Sequence, residues 1–215
     1  MSNRIISEIL NEPDAYFLLQ EAHAILNREK EKRNQFYNDI TEQEKAEFIN
    51  GEIVVHSPVK KRHNKASLLL AQLLNIYSAK HGLGFVGIEK ILITLTRNDY
   101  EPDICFFRHD KAVNFTEDQI LFPAPDLVIE ILSESTESRD RGVKFKDYQA
   151  HKIEEYWIID PEKQTVEQYY LNDNIYELIL KSSQGSVKSF VVNGFQIPVQ
   201  AIFDETENLK TILNF

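Results

Sequence analysis

A carboxylate lies inside one of the most apolar stretches of this chain, and its position raises the question of what neutralises it. In "PDLVIEIL", Glu130 stands between Ile129 and Ile131, within a run whose length and composition predict a buried strand. Because alternate side chains of a strand share a face, Glu130 points to the side of Val128 and Leu132. An ionised carboxylate buried there without a partner would be costly. It must therefore be protonated, paired with a cation or bound to a metal.

Two kinds of partner remain open for Glu130 on the residues alone. One is an ion pair with Arg139 or Lys144, which would be a structural role without chemistry. The other is a shared cation with Asp103, which follows Pro102 at the head of the apolar run "ICFF". If the two strands are neighbours, the two acids meet at one end of the sheet and repel each other unless a cation lies between them. Such hard oxygen ligands suit Mg²⁺ or Mn²⁺, and we expect the carboxylates to lie within about 5 Å of each other.

Other residues with chemical potential give weaker patterns. Asp126 is close to Glu130 in sequence, but four residues of strand span about 13 Å. Mg²⁺ holds its ligands at about 2 Å, so the two cannot share one ion unless the strand breaks. Cys105, Tyr156 and Trp157 stand in apolar runs and are predicted to be core residues rather than a nucleophile or a base-stacking platform. The chain shows neither the Cys and His spacing of a zinc site nor a glycine-rich phosphate loop.

The elements that position these residues follow from turn signals and hydrophobic periodicity. Asn50-Gly51 predicts a hairpin, and a long apolar stripe predicts a helix that ends at Gly82. The predicted order is that hairpin, that helix, two strands joined at 97–99, the strand of Glu130, a short helix, two strands around Asp160-Pro161 and further short strands. This order indicates an α/β fold around one mixed sheet.

The N-terminal residues show a different pattern from the rest. Apolar residues at 17, 18, 22, 25 and 26 form a helical stripe, after which "NREKEKRNQ" is almost entirely polar. A capping-box pattern from Thr41 to Glu44 predicts the start of a short helix. We therefore expect residues 1–45 to be a helical extension and residues 46–215 to form the domain that carries the chemistry.

The overall composition limits the class of protein. The 215 residues include 34 Asp and Glu against 24 Lys and Arg, a net charge of −10. This surplus argues against tight non-specific binding of nucleic acid, although the clusters "VKKRH" and "RDRGVKFK" remain open as phosphate contacts or as solvated surface. A single cysteine excludes an internal disulfide, and the first residues lack the apolar run of a signal peptide or membrane span. We expect a cytoplasmic protein with no membrane partner.

Several of these motifs together resemble a known family. "EPD", "VIEIL", "RDRGVKFKDY" and "EEYWIIDP", with "FINGEIVVHSP" followed by "RH", resemble the Uma-two family of restriction-endonuclease-like proteins. That family is a branch of the PD-(D/E)XK nuclease superfamily, and the similarity covers about residues 46–170. The resemblance implies a restriction-endonuclease-like core, with flanking helices around a mixed sheet and an extra N-terminal hairpin.

The resemblance also implies roles for individual residues. Asp103 matches the Asp of the family's "PD" and Glu130 matches its second acid, so both would be catalytic and would hold Mg²⁺ or Mn²⁺. The superfamily's lysine would fall at Leu132, but in this family it is displaced onto the next helix. Lys144 is the matching position, followed by Tyr148, whereas Lys146 lies on another helical face.

Two accessory positions follow from the same resemblance. His63 falls where the family has "RH", as a phosphate contact or a support for the metal ligands, with a surface histidine at a helix start as the alternative. Glu52 in "NGEI" also matches a family position, and a structural hydrogen bond is its simpler interpretation.

The implied activity is Mg²⁺-dependent hydrolysis of DNA phosphodiester bonds through an Asp-Glu-Lys site. Lys144 would position or deprotonate the attacking water, or stabilise the developing negative charge. Cleavage of both strands of a duplex would favour a homodimer. The alternative is a catalytically weak or inactive nuclease-fold protein that serves as a DNA- or protein-interaction module.

Overall fold

The computed structural model describes residues 2–41 and 44–215 of the chain. The helices are α1 (Ser2–Leu10), α2 (Ala15–Asp39), α3 (Lys61–His81), α4 (His109–Ala112), α5 (Glu137–Arg139), a π-helical turn (Asp140–Lys144), α6 (Phe145–Ala150), a 3-10 turn (Val199–Ile202) and α7 (Glu205–Leu213). The strands are β1 (Ala46–Ile49), β2 (Glu52–Val55), β3 (Gly84–Ile88), β4 (Leu92–Thr94), β5 (Asp99–Tyr100), β6 (Ile104–Arg108), β7 (Leu121–Phe122), β8 (Leu127–Ile131), β9 (Glu155–Asp160), β10 (Thr165–Asn172), β11 (Ile175–Ser182), β12 (Ser186–Lys188) and β13 (Gln196–Pro198).

A six-stranded sheet forms the centre of the molecule, in the order β11-β10-β9-β8-β6-β3. The neighbours β8 and β9 run parallel and the other pairs are antiparallel. One face packs on α3 through Leu70, Leu73 and Leu74, while Val128 and Tyr148 belong to a separate apolar cluster. The predicted mixed sheet with flanking helices is thus confirmed.

Strand β8 is buried along its whole length and separates the two apolar clusters. Ile129 and Ile131 belong to the α3 cluster, whereas Val128 and Leu132 belong to the other. Glu130 therefore lies on the face of Val128 and Leu132, as the alternation predicts. The core positions predicted for three further residues are confirmed by their complete burial: Cys105, Tyr156 and Trp157.

The predicted hairpin opens a second, five-stranded sheet in the order β2-β1-β5-β4-β7. Phe48 lies opposite Ile53, and Asn50 and Gly51 form the turn at φ of 51° and 83°. A two-residue turn with positive φ at both positions matches the right-handed twist of the flanking strands. The helix end predicted at Gly82 is also confirmed by its left-handed conformation.

The prediction of two strands joined at 97–99 is wrong, because this region forms four strands. Strands β3 and β6 pair in the central sheet, while β4 and β5 belong to the smaller one. Glu89, at a φ of 58°, breaks the extended backbone after β3. Pro102, which lacks an N–H group, separates β5 from β6. The chain thereby crosses between sheets just before Asp103.

The N-terminal helices attach to the smaller sheet near the end of α2. Arg33 Nε donates to Asp99 Oδ2 at 2.6 Å, and Phe36 packs on Phe48 with ring centroids 5.9 Å apart. The helix start predicted from Thr41 includes residues 42–43, which lie outside the described residues. In the described ranges, none of the helices combines the length and hydropathy that a membrane span requires.

Candidate functional site

The two acids singled out by the sequence lie on neighbouring strands at one end of the central sheet. Strands β6 and β8 are antiparallel with Ile104 opposite Ile129, so Asp103 and Glu130 occupy the next positions along the pair. Asp103 Oδ2 also accepts a hydrogen bond of 2.8 Å from the backbone N–H of Ile131. The sheet therefore brings both acids to one end, as the sequence predicts.

Asp126 lies elsewhere, in a separate ion-pair group. Its carboxylate is 2.7 Å from Lys111 Nζ and 3.1 Å from an Arg108 guanidinium nitrogen. It also accepts from the backbone N–H of Arg108 at 2.8 Å. These partners account for the burial of Asp126 without a metal, which supports its exclusion as a partner of Glu130.

Asp103 is held by two cationic or polar side chains from outside its own strand. Lys45 Nζ lies 3.0 Å from Oδ1, and His63 Nε2 lies 3.3 Å from Oδ2. Burial raises the pKa of Asp103, but the hydrogen bond with His63 and the charge of Lys45 outweigh it and leave the pKa well below its usual range. Asp103 is therefore ionised at neutral pH. The predicted accessory residue His63, on α3, touches this carboxylate.

Glu130 has partners on the helix that follows β8. Lys144 Nζ lies 3.0 Å from Glu130 Oε1, and the Tyr148 hydroxyl donates to the same oxygen at 2.8 Å. Burial raises the pKa of Glu130 to about 8, because Lys144 offsets only part of the desolvation and three further carboxylates, Asp140, Asp103 and Glu47, repel it. Glu130 is therefore largely protonated in the absence of a further cation.

Lys144 joins several acids in one buried cluster. Besides Glu130, its Nζ lies 2.8 Å from Glu47 Oε1 and 3.5 Å from Asp140 Oδ1. Asp140 and Lys144 begin and end a π-helical turn, an irregularity that frequently occurs at functional sites. Burial alone would lower the pKa of Lys144, but Glu130, Glu47 and Asp140 together raise it well above the usual value. Lys144 is thus a permanently charged group.

Glu47 is a member of this cluster that the sequence reasoning missed. It lies on β1, is fully buried, and its Oε2 is 3.1 Å from His56 Nε2. Burial raises the pKa of Glu47, but Lys144 and His56 outweigh it and lower the pKa to about 2. The signal was present, since Glu47 is an acid within the apolar run "AEFI", the same anomaly as Glu130.

Glu52, the other accessory candidate, lies on β2 and away from the cluster. Its side chain is 78% exposed and lies 3.8 Å from Lys32 Nζ. The structure therefore brings Asp103, Glu130, Lys144 and His63 together but leaves Glu52 at the surface. Lys146, ranked below Lys144, is also exposed.

The oxygen ligands of this cluster are of the kind that a divalent cation prefers. Its four carboxylates belong to Glu47, Asp103, Glu130 and Asp140, whereas Lys45 and Lys144 are its two lysines. Among the described residues, the buried atoms Glu47 Oε2 and Asp140 Oδ1 lack a hydrogen bond, although His56 Nε2 lies 3.1 Å from the first and Lys144 Nζ lies 3.5 Å from the second. No three His, Cys, Asp or Glu side chains in the described part converge into a ready-made metal cage. Two carboxylates with water completing the shell is the common arrangement for Mg²⁺.

A cavity of about 580 Å³ gives access to part of this cluster. Asp103, Glu130 and Lys144 line it, whereas Glu47 and Asp140 contact Lys144 without lining the cavity. Of the four acids in the cluster, the two that line the cavity are therefore the pair that the sequence identified. Basic side chains also line the cavity: Lys45, Lys60, Arg62, Arg139 and Lys163.

Residues 12–200 match the model of the Uma2 (Uma-two) family, described as "Putative restriction endonuclease". The chain belongs to this family. The match begins between α1 and α2 and ends in the 3-10 turn after β13, so it is wider than the 46–170 range of the quoted motifs.

The chain is also similar to two curated proteins and to one solved structure. The uncharacterised proteins slr1290 and sll1609 of Synechocystis sp. are 30% and 31% identical over 169 and 130 residues, which cover 75% and 59% of this chain and 85% and 72% of theirs. A crystal structure from Anabaena variabilis, described as a putative nuclease belonging to DUF820, is 20% identical with a TM-score of 0.64. It covers 76% of this chain and 90% of its own, and it shows that the two share a fold.

Proposed function

We propose that this protein is a metal-dependent endonuclease that hydrolyses DNA phosphodiester bonds at the Asp103-Glu130-Lys144 cluster. The observation that carries the proposal is the convergence of these three residues on the wall of one cavity in a chain of the Uma2 family. Three other observations support a cation and a phosphate-bearing substrate. The cluster has more carboxylates than lysines, the pKa of Glu130 is raised, and basic side chains line the cavity.

Asp103 and Glu130 are the residues that would hold Mg²⁺ or Mn²⁺. Bound there, the ion would polarise the phosphate and lower the pKa of a coordinated water. Asp103 is already ionised, and its orientation is fixed by the Ile131 N–H group and by His63. Glu130 carries a proton over much of the neutral range, and its ionised form would be favoured by an incoming cation.

Lys144 would act through its charge and not as a base. Its pKa lies well above the usual value, so it cannot accept a proton from water near neutral pH. It donates to Glu130 at 3.0 Å and lies against Glu47 at 2.8 Å. In this position it orients Glu130 and provides a positive charge beside the reacting phosphate. Of the roles open from the sequence, charge stabilisation therefore fits best.

The basic rim offers a reason why an acidic chain would bind DNA. Lys60, Arg62 and Lys163 line the cavity, each within an ion pair with an acid: Glu134, Glu162 and Asp160. Exposed ion pairs of this kind are weak, so the cations can exchange partners for phosphate oxygens. We propose a homodimer for the cleavage of duplex DNA, since cutting two strands suits a two-fold assembly.

A second candidate is a nuclease-fold module that binds DNA or protein without hydrolysis. The observation that favours it is that Lys45 already neutralises Asp103 and Lys144 already contacts Glu130. A cluster balanced in this way could persist as a structural ion-pair network without a metal.

Calorimetric titration with Mn²⁺ distinguishes the two candidates. The endonuclease proposal predicts a site in the wild type that is lost in Asp103→Ala. Because burial raises the pKa of Glu130 to about 8, Mn²⁺ binding at pH 7 should release a proton from Glu130, which appears as a dependence of the heat on the ionisation enthalpy of the buffer. Absence of Mn²⁺ binding by the wild type would contradict the endonuclease and leave the binding module.

A further inference from the structure

Arg139 differs from every other lysine and arginine that lines the cavity. In the described part of the chain, Lys45, Lys60, Arg62, Lys144 and Lys163 each form an ion pair with an acid. The Arg139 guanidinium forms neither an ion pair nor a hydrogen bond to a described residue, and its Nε is shielded from solvent without a partner. Its charge is therefore not used within the fold.

The cost of this arrangement indicates a ligand. A shielded donor without a partner costs about 1–3 kcal/mol, and more when the group is charged. The neighbouring Arg141, by contrast, is bound by Glu167 through two nitrogens at 2.8 Å and 2.9 Å. Arg141 is therefore neutralised by an acid of the fold, whereas Arg139 lines the cavity without one.

The geometry of the guanidinium group identifies the chemical class of ligand. Its planar set of N–H donors binds two oxygens of a phosphate or carboxylate at once. The cavity already contains the carboxylates of Asp103 and Glu130, and a further carboxylate ligand would be repelled by them. A phosphate would be repelled too unless a cation lay between it and these acids, and the metal of the proposed function supplies that cation.

We propose that Arg139 binds the non-bridging oxygens of the phosphate at which DNA is cut, an inference that rests on the proposed endonuclease function. It holds that phosphate against the acids and adds positive charge where negative charge develops in the transition state. Arg139 is in this account a substrate-binding residue separate from Lys144, which is bound to its acids.

The test measures the binding of a short fluorescein-labelled DNA duplex in CaCl₂ by anisotropy, over a series of NaCl concentrations. Arg139→Gln should weaken binding roughly ten-fold and reduce the slope of log K against log salt by about one. Arg139→Lys should keep the slope but lose part of the affinity, because it keeps the charge without the fork. Lys146→Gln, which removes an exposed charge outside the cavity, is the matched control and should match the wild type.

Thermal unfolding separates binding from a structural role. Because Arg139 has no partner among the described residues and its shielded donor is costly, Arg139→Gln should melt at or above the wild-type temperature. If Arg139→Gln has the salt slope and affinity of the wild type, the role of Arg139 is overturned while the endonuclease proposal stays intact. A large drop in the melting temperature of Arg139→Gln would have the same consequence, because it would show a structural role. A wild-type protein that binds no duplex would overturn both.

Discussion

Replacement of Glu130 by Gln should make the protein more stable at high pH, although it removes a buried ion-pair partner. The folded state raises the pKa of Glu130 from 4.5 to about 8, chiefly through burial. Between these values the folded protein holds a proton that the unfolded chain releases, so the stability of the wild type falls as pH rises. Gln carries no such proton, and the variant escapes this loss.

The size of the effect follows from the pKa values of Glu130. Relative to the ordinary value of 4.5, a folded pKa of about 8 costs the wild type about 1 kcal/mol at pH 5 and about 5 kcal/mol at pH 9. The Gln amide does not titrate in this range, so any change in hydrogen bonding that it brings costs the same at every pH. The stability difference, variant minus wild type, should therefore rise by about 4 kcal/mol from pH 5 to pH 9.

Urea unfolding in EDTA at pH 5, 7 and 9 measures this difference directly. Glu117→Gln provides the matched control, because it makes the same chemical change at an exposed position, and its difference from the wild type should not vary with pH. A Glu130→Gln difference that is constant over this range would refute the reasoning, since it would mean that Glu130 is ionised throughout.

Three further predictions concern the partners of the acids. Lys144→Met should destabilise the fold by about 3–5 kcal/mol at pH 7, because Glu47 then stays buried without its cation. Urea unfolding measures this loss, and a loss below about 1 kcal/mol would mean that the cluster is neutral. Asp103→Asn should be less stable than the wild type at neutral pH, because the partners that lower the pKa of Asp103 stabilise its ionised form. The difference in unfolding free energy should shrink as pH falls below about 4, where Asp103 begins to take up a proton. A difference that stays constant in acid unfolding experiments would contradict this. Arg33→Met should release the end of α2 from buried Asp99, seen as faster amide hydrogen exchange in α2; unchanged exchange would show that apolar packing alone holds the helix.

Much of the site could be predicted from residue types because its signals are local. Glu130 is conspicuous as an acid in an apolar strand, and the alternation of side chains fixes its face. The family pattern added Lys144 on the next helix, and the structure places its Nζ 3.0 Å from Glu130. The hairpin at Asn50-Gly51 followed from turn chemistry that needs no tertiary information.

The rest depended on contacts between segments that are distant in sequence. Lys45 reaches Asp103 across 58 residues, and no local pattern distinguishes it from a surface lysine. Asp140 joins the cluster through a π-helical turn, which shifts the helical face by comparison with a regular helix. Glu47 lies on β1, a four-residue strand beside a turn, and its pairing with Lys144 depends on a helix almost a hundred residues later.

The most direct test of the account is the conversion of supercoiled plasmid to the nicked form. The wild type should nick DNA in MgCl₂ and not in EDTA, and Lys146→Gln should match it. Glu130→Gln and Lys144→Ala should each lose about 100-fold or more in rate, the scale of removing a group that stabilises transition-state charge. Equal rates in the wild type and these two variants, or nicking that persists in EDTA, would contradict a metal-dependent site at Asp103, Glu130 and Lys144.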